Sequence, residues 1–353
     1  MNRLGPFGVH LPILGSFLLA GFCLSCETSL EIPTPTDRET VQSSRKGQSQ
    51  ILPLKIKPFS YAVAGENNLI FLGRGQELVV IKVEDQGQSV VLARTPLAGE
   101  VRDIDVKGDY VFVAVRGSGL SIVDCTVPNR PKQVGLFVLP LAEGVDVFHD
   151  KAYVAAQTSG IRIVDVSVPG HPRAVGSYQT SEAALKLKVQ GTFLYVAASY
   201  AGTRILDVMD PSQISEVGFA TRGSYGQGSA WDVAVSGNRA YSAIPDNGLR
   251  QVDIEEPAKA ETLSIYRGLY APVAVVVSES HAFVADQSAG LRIITLGKDE
   301  MKEVGRLSFD DSVMDVVLVG KRLLLALKTR GLSVLNVDDP TRPRQEASLV
   351  LIE

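Results

Sequence analysis

The sequence predicts an all-β protein, a seven-bladed β-propeller of four-stranded blades. Three observations lead to this prediction: short apolar runs recur along the chain, one unit repeats seven times, and each unit holds four runs. The clearest unit, residues 144–180, contains the runs VDVF, AYVAA, IRIVDV and RAVGSY. Val, Ile and Tyr dominate the runs, and Asp, Ser, Gly and Pro separate them, which is typical of strands joined by tight turns. No run is long enough for a helix.

The second run of each unit marks the repeat most simply. Its central residue is aromatic in six copies and Leu in the seventh: Phe71, Phe112, Tyr153, Tyr195, Tyr241, Phe283 and Leu324. The steps between them are 41, 41, 42, 46, 42 and 41 residues, and propeller blades have repeats of about 40–45 residues. A β-helix has shorter coils, and a sandwich does not repeat so regularly. Seven copies therefore predict a closed ring with short, protected edges.

The third run predicts two turns. It begins with Gly in six of the seven copies, which suits a turn that needs positive φ. It ends in most copies with a carboxylate or amide residue: Asp124, Asp165, Asp207, Asp253 and Asn336. We expect these side chains to accept hydrogen bonds from nearby backbone amides. They cannot share one metal ion, because equivalent positions in different blades are far apart.

This third run, GLxIVDV followed by a proline, resembles the LVIVD-repeat family of bacterial exported and surface proteins. The resemblance covers residues 60–353 and implies an extracytoplasmic propeller, with no shared catalytic motif to carry over. Copies 1 and 6 depart from the pattern, with Lys82 and Thr295 where most copies have Asp.

The propeller is expected to span residues 51–353, but two segments compete to complete its last blade. Ile51–Pro58, ILPLKIKP, is typical of an extra fourth strand ahead of the first copy. The C-terminal residues 347–353, ASLVLIE, fit the same place. The sequence leaves this choice open.

The first fifty residues predict an export signal and a tether. Residues 1–25 contain an apolar segment, 11–24, that is short enough for a secretory signal. Ser25 before Cys26 resembles a bacterial lipobox, so we expect lipidation of Cys26 and a lipid-anchored protein at a bacterial outer membrane or cell surface. The alternative is ordinary cleavage near Ser25 and secretion. Residues 26–50 lack an apolar period and are expected to be a disordered tether.

Composition excludes several classes of function. The formal net charge of -4 argues against a nucleic-acid binder, which would usually carry a basic face. With Cys26 lipidated, Cys125 has no partner for a disulfide, and we expect it to be a small buried strand residue. No zinc-ligand spacing, phosphate loop or nucleophile elbow is present. We therefore expect a monomer with no metal and no cofactor.

The repeat breaks most strongly between copies 4 and 5, and this break is the candidate binding site. The enlarged connection, residues 221–231, contains the only tryptophan of the chain. Neighbouring connections add tyrosines and arginines, residue types that are enriched at binding hot spots. We expect a protein, peptide or glycan partner to bind here. The candidate residues are Tyr200, Arg222, Tyr225, Trp231, Tyr266, Arg267 and Tyr270.

The alternative is a hydrolase with a composite active site at the centre of the ring. Its candidate residues occupy equivalent positions of the first run in four copies: Asp103, Lys186, Asp232 and Asp315. A glycoside hydrolase would need two carboxylates roughly 5–9.5 Å apart. The same side chains would also line a water-filled channel, so we favour a protein that is not an enzyme.

Overall fold

The predicted strands form seven separate four-stranded antiparallel sheets. The computed structural model describes residues 58–84, 88–220, 228–298 and 300–351. Within these residues each sheet takes its four strands from one consecutive stretch of chain and orders them as they occur in sequence. This arrangement follows from the short turns, which return the chain beside the strand it has just left.

The strand bounds follow the seven repeats. Blades 1 and 2 contain β1 (Ser60–Glu66), β2 (Leu69–Arg74), β3 (Glu77–Val83), β4 (Ser89–Pro96), β5 (Glu100–Lys107), β6 (Tyr110–Arg116), β7 (Gly119–Asp124) and β8 (Lys132–Val138). Blades 3 and 4 contain β9 (Gly144–Phe148), β10 (Lys151–Ala155), β11 (Ile161–Asp165), β12 (Arg173–Tyr178), β13 (Lys186–Gln190), β14 (Phe193–Ala197), β15 (Thr203–Asp207) and β16 (Ser215–Phe219).

The remaining three blades have the same pattern. Blades 5 and 6 contain β17 (Asp232–Ser236), β18 (Arg239–Ile244), β19 (Gly248–Asp253), β20 (Glu261–Tyr266), β21 (Ala274–Val277), β22 (His281–Ala285), β23 (Leu291–Leu296) and β24 (Met301–Leu307). Blade 7 contains β25 (Val313–Val319), β26 (Arg322–Leu327), β27 (Gly331–Asn336) and β28 (Arg344–Val350). A 3-10 turn, Pro257–Lys259, precedes β20.

The first strands of the blades form the inner wall of a ring. Each first strand contacts that of the next blade, from β1 and β5 through to β21 and β25, and β25 contacts β1 again. The sheets therefore radiate from a central channel, and the prediction of a seven-bladed propeller is confirmed.

The core consists of seven apolar clusters, one at each interface between adjacent blades. The central residue of each second strand, aromatic in six blades and Leu324 in the seventh, lies in these clusters; Phe71 and Tyr195, for example, are each 2% exposed. Burying a large apolar side chain stabilises a fold by about 1.5–3 kcal/mol. Repetition of one such residue per blade thus stabilises every interface in the same way.

Both predicted turns are confirmed. Gly160, Gly202, Gly248 and Gly290 have φ values of 73°, 76°, 91° and 86° where the third strand begins. The side-chain oxygen of the residue that ends the third strand accepts a hydrogen bond from the backbone amide two residues later in the chain. The accepting and donating pairs are Asp124 with Thr126, Asp165 with Ser167, Asp207 with Met209, Asp253 with Glu255, and Asn336 with Asp338.

Within the described residues, the two ends of the ring meet without sharing a strand. The C-terminal strand β28 pairs with β27 and completes blade 7. Blade 1 begins with β1, whose Ser60 amide donates to the Lys328 carbonyl at 2.8 Å. One apolar cluster then joins β1–β3 to β26–β28. Side-chain packing therefore stabilises the closure in the same way as every other blade interface.

Several sequence predictions concern residues outside the described ranges. These are the signal peptide, Cys26, the tether, and residues 51–57 of the competing segment. Within the described residues no helix is long and apolar enough to span a membrane. Cys125 follows β7 directly and is 4% exposed, and burial raises the pKa of its thiol to about 12. The prediction that Cys125 is buried is confirmed.

Candidate functional site

The central channel brings charged side chains from four blades together. Asp103, Lys186, Asp232 and Asp315 all pair in register with an Ala of the second strand, so they occupy equivalent positions. All four line a cavity of about 340 Å³. They converge because the first strand of each blade lines the channel and turns the same register position toward the axis of the ring.

A second layer of charge lies on the first strands of blades 2, 3 and 4, two residues beyond that register position. Asp105, Asp146 and Lys188 pair in register with the buried aromatic residues of their blades and line the same cavity. Sequence reasoning missed this layer. The signal was available, since alternate residues of a strand point to the same side.

The channel carboxylates join neighbouring blades. One oxygen of each accepts a hydrogen bond from a backbone amide of the next inner strand, at 2.7–2.9 Å. The pairs are Asp103 with Val145, Asp105 with Val147, Asp146 with Val189, Asp232 with Val275, and Asp315 with Val63. We call these bonds the interblade clamps. Hydrogen bonds to a charged acceptor are about twice as strong as neutral ones, so the clamps account for much of the acidic lining.

The two lysines pair with two of these carboxylates. Lys186 donates to Asp103, and Lys188 donates to Asp146 at 2.6 Å. Burial lowers the pKa of Lys186, but the surrounding carboxylates outweigh burial and raise it above the ordinary value. Both ammonium groups therefore stay charged at neutral pH.

Burial has the opposite consequence for the remaining carboxylates. It raises the pKa of Asp232 to about 7 and also raises that of Asp315, although Lys186 lowers both. Burial also raises the pKa of Asp105 to about 6, with a further contribution from the Asp146 carboxylate. The charge of the channel thus changes between pH 5 and pH 8.

The candidate binding patch is partly exposed on the face formed by the turns between second and third strands. Tyr200 and Trp231 are 49% and 41% exposed. An isolated bridge between Ser199 and Ala230 brings their two segments together, with the Ala230 amide 3.0 Å from the Ser199 carbonyl. Tyr200 follows Ser199 and Trp231 follows Ala230, so the two aromatic residues lie on adjacent segments of blades 4 and 5.

The next connection places a third aromatic residue on the same face. Tyr270 is 72% exposed, and its amide donates to the buried Asp286 carboxylate at 2.9 Å. Asp286 also accepts from the Ala271 amide at 2.6 Å, which fixes this connection on blade 6. We call Tyr200, Trp231 and Tyr270 the aromatic patch.

The other residues of the candidate site differ in position. Tyr266 ends β20, is half-buried, and donates from its hydroxyl to Glu303 at 2.9 Å. Arg267 follows it and is exposed. Arg222 and Tyr225 lie outside the described residues.

The comparisons with known proteins identify the repeat. The profile described as "LVIVD repeat" matches residues 98–137, 141–180, 183–221, 227–267 and 273–295, together more than half of the chain. This chain belongs to the LVIVD-repeat family. The structure adds a blade on each side of the five matched repeats, which makes seven.

The solved structures that resemble this chain support the fold alone. A functionally unknown protein from Desulfotomaculum acetoxidans DSM 771 has a TM-score of 0.64 and 14% identity, over 83% of this chain and 94% of its own. The computationally designed Ika8 protein has a TM-score of 0.62 and 11% identity, over 84% of this chain and 90% of its own. No curated protein matches the sequence.

Two interfaces between LVIVD repeats contain the same polar triad. At the interface of blades 3 and 4, Glu216 accepts from the Tyr178 hydroxyl at 3.3 Å and from Arg204 at 3.2 Å. At the interface of blades 5 and 6, Glu303 accepts from Tyr266 at 2.9 Å and from Arg292 at 3.2 Å. We call each set a Tyr–Glu–Arg triad. Blades 4 and 6 thus share an acidic partner for the arginine of their third strand.

A further network, which sequence reasoning also missed, lies at the start of the LVIVD repeats of blades 2 and 3. The buried Glu143 carboxylate accepts from Arg102 at 2.7 Å, from Arg116 at 2.6 Å and from Gln157 at 2.9 Å. The Arg102 guanidinium lies over the Tyr61 ring, 4.5 Å from its centroid. Glu100 also pairs with Arg102 at 3.7 Å and with Arg116 at 3.5 Å, so two carboxylates balance the two guanidinium charges. Within the described ranges no three His, Cys, Asp or Glu side chains are placed to hold a metal ion.

Proposed function

We propose that this LVIVD-repeat propeller is a lipid-anchored binding or scaffolding module of the bacterial cell envelope. Its partner, a protein, peptide or glycan, docks on the aromatic patch. The observation that carries the proposal is the exposure of Tyr200, Trp231 and Tyr270 on one face, where the repeat pattern breaks. Aromatic side chains offer large contact areas with little conformational entropy to lose, so they dominate binding energies.

The hydrolase alternative has weaker support. Asp103, Asp232 and Asp315 each accept an interblade clamp, and Asp103 also pairs with Lys186. These contacts explain why the residues are present without any reaction. The clamps alone therefore account for carboxylates in the lining of the channel.

The aromatic patch can be tested by alanine substitution. We expect the triple variant Tyr200→Ala, Trp231→Ala and Tyr270→Ala to lose at least tenfold in affinity, since two or three hot-spot residues contribute about 2 kcal/mol each. The measurement is quantitative capture of envelope proteins, peptides and a glycan array by the immobilised chain.

The control for this experiment uses the opposite face. Val127, Val168 and Met209 are 52%, 57% and 78% exposed in turns between third and fourth strands. Their alanine variants should capture the same partners as the unaltered chain. Equal capture by the aromatic-patch variant and this control would rule out the patch as the binding surface.

The lipid anchor is tested separately. Two acyl chains would anchor firmly, since each buried methylene contributes about 0.8 kcal/mol. We expect a bacterial host to incorporate labelled palmitate into the chain and to place it in the membrane fraction, and Cys26→Ser to abolish both. An unlabelled chain in the medium would instead indicate ordinary signal cleavage near Ser25.

A further inference from the structure

The interface of blades 4 and 5 lacks the acidic partner that its neighbours have. The third-strand arginine here is Arg250, equivalent to Arg204 and Arg292. The register position of Glu216 and Glu303 is occupied by Thr262, which pairs with Val252. The tyrosine position is occupied by Ala220, whose amide bonds to the Thr203 carbonyl. Two members of the Tyr–Glu–Arg triad are thus replaced by small residues, and only the arginine remains.

Arg250 consequently has no acceptor among the described residues, although it is half-buried. Every other half-buried arginine of the described ranges has one. Arg162 of blade 3, which also lacks the glutamate, donates instead to the carbonyls of Ser159 and Ile161 at 2.8 and 2.9 Å. The Nε atom of Arg250 is buried without a hydrogen-bond partner, which is unfavourable, so a bound anion would stabilise this side chain.

A second cation lies beside it. Arg250 pairs in register with Ile265 of β20, and Arg267 lies two residues beyond Ile265, on the same side of the sheet. Burial lowers the pKa of Arg250, and the nearby Arg267 charge lowers it further. No described residue pairs with Arg267. Two arginines with free donors provide the planar, bidentate geometry that matches a carboxylate.

We propose that Arg250 and Arg267 form an anion subsite that binds a carboxylate side chain of an acidic peptide. The bound carboxylate takes the position in which both neighbouring interfaces have a glutamate side chain. Since those glutamates are themselves peptide side chains, an acidic peptide reproduces their geometry directly. The inference rests on the proposed function, because it names the charge of the partner that docks beside the aromatic patch.

The test uses an acetylated tetraglutamate peptide, with tetraglutamine as the neutral comparison, and isothermal titration of the full chain. We expect tetraglutamate to bind, more weakly at higher salt, and tetraglutamine not to bind. Arg250→Gln should weaken tetraglutamate binding about tenfold, the loss expected for one charge-assisted hydrogen bond. Arg162→Gln, the matched substitution in blade 3, should leave it unchanged.

A second variant supplies the missing carboxylate in cis. Thr262→Glu rebuilds the Glu–Arg pair of the neighbouring blades, so it should abolish tetraglutamate binding while the melting temperature rises or stays constant. Equal binding by Arg250→Gln and Arg162→Gln, or full binding by Thr262→Glu, would overturn the proposal. So would inorganic phosphate that competes as strongly as the peptide, because the site would then not select a carboxylate side chain.

Failure of this subsite is distinguishable from failure of the proposed function. The peptide titration keeps all aromatic residues intact and uses a synthetic probe. The aromatic-patch experiment keeps both arginines and measures natural partners. If the peptide titration fails, the capture experiment still tests the aromatic patch, and if the capture experiment fails, the titration still tests the anion subsite.

Discussion

Single channel residues combine a structural bond with a titratable charge. Asp232 accepts from the Val275 amide of the next blade at 2.8 Å and from its own neighbour Val233 at 2.8 Å. Both bonds favour the carboxylate, and so does Lys186, yet burial outweighs them and raises the pKa to about 7. Desolvation therefore decides the charge of this residue.

This raised pKa predicts a pH dependence of stability. The unfolded chain loses the Asp232 proton near its ordinary value of 3.8, whereas the folded chain keeps it up to about pH 7. The folded state binds more protons in that window, so the free energy of unfolding falls as the pH rises through it. Asp232→Asn removes this contribution, so we expect the variant to gain stability relative to the unaltered chain between pH 5 and pH 7. Urea unfolding across pH 5–8 measures the difference.

The control is Asp165, a carboxylate at the end of β11. Hydrogen bonds from Ser167 and the nearby Arg173 hold the pKa of Asp165 below its ordinary value. Asp165→Asn should therefore give a constant offset from pH 5 to pH 8. A constant offset for Asp232→Asn as well would contradict the assigned pKa.

At the scale of the strand and its turn, one glycine determines how the third strand begins. Gly160 has a φ of 73°, and a Cβ atom there would lie 2.3 Å from the Tyr178 carbonyl oxygen. The outer strand β12 therefore approaches the start of β11 too closely for any side chain. Gly191 has a similar φ of 62° but nothing within 4 Å.

These two glycines separate backbone strain from steric overlap. We expect Gly191→Ala to lower the free energy of unfolding by about 1 kcal/mol, the cost of a left-handed conformation for Ala. Gly160→Ala should lower it by about 3 kcal/mol, because the overlap with the carbonyl adds to the strain. Denaturant titration of both variants measures the losses. Equal losses would show that the close approach relaxes without penalty.

At the scale of the whole molecule, the ring is closed by an apolar cluster like that of every other blade interface and by a clamp like those between blades 2 and 3, 3 and 4, and 5 and 6. Asp315 of blade 7 accepts from the Val63 amide of blade 1 at 2.9 Å, as an interblade clamp does elsewhere. The Ser60 amide and the Lys328 carbonyl add a second bond, and the Lys328 ammonium lies 4.9 Å from the Phe59 ring centroid. Closure therefore depends on local contacts between two ends that are far apart in sequence.

Removal of the clamp should weaken closure measurably. Asp315→Ala leaves the buried Val63 amide without its acceptor, which costs about 1–3 kcal/mol. Asp315→Asn keeps an oxygen acceptor and should lose less. Thermal unfolding and limited proteolysis check this, with earlier cleavage expected in Asp315→Ala. If the two variants were equally stable, the clamp would not contribute to closure.

Much of the fold could be predicted from the sequence because its signals are local. The period-2 runs, the glycines before the third strand and the carboxylates after it each act within a few residues. Their repetition at about 42 residues then determines the number of blades. Tyr266 was assigned to the candidate site from its neighbours in sequence, but only the structure shows its bond to Glu303.

The sequence by itself thus determined seven blades, their strands and the burial of Cys125, because periodicity and turn chemistry need no distant partner. Tertiary structure decided the rest. It placed Asp105, Asp146 and Lys188 in the channel and made the channel carboxylates interblade clamps. It also made the C-terminal strand β28 the fourth strand of blade 7. It also left Arg250 without an acceptor among the residues that the structure describes. These outcomes depend on which side chains meet across blade interfaces, and the meeting residues lie tens to hundreds of positions apart in the chain.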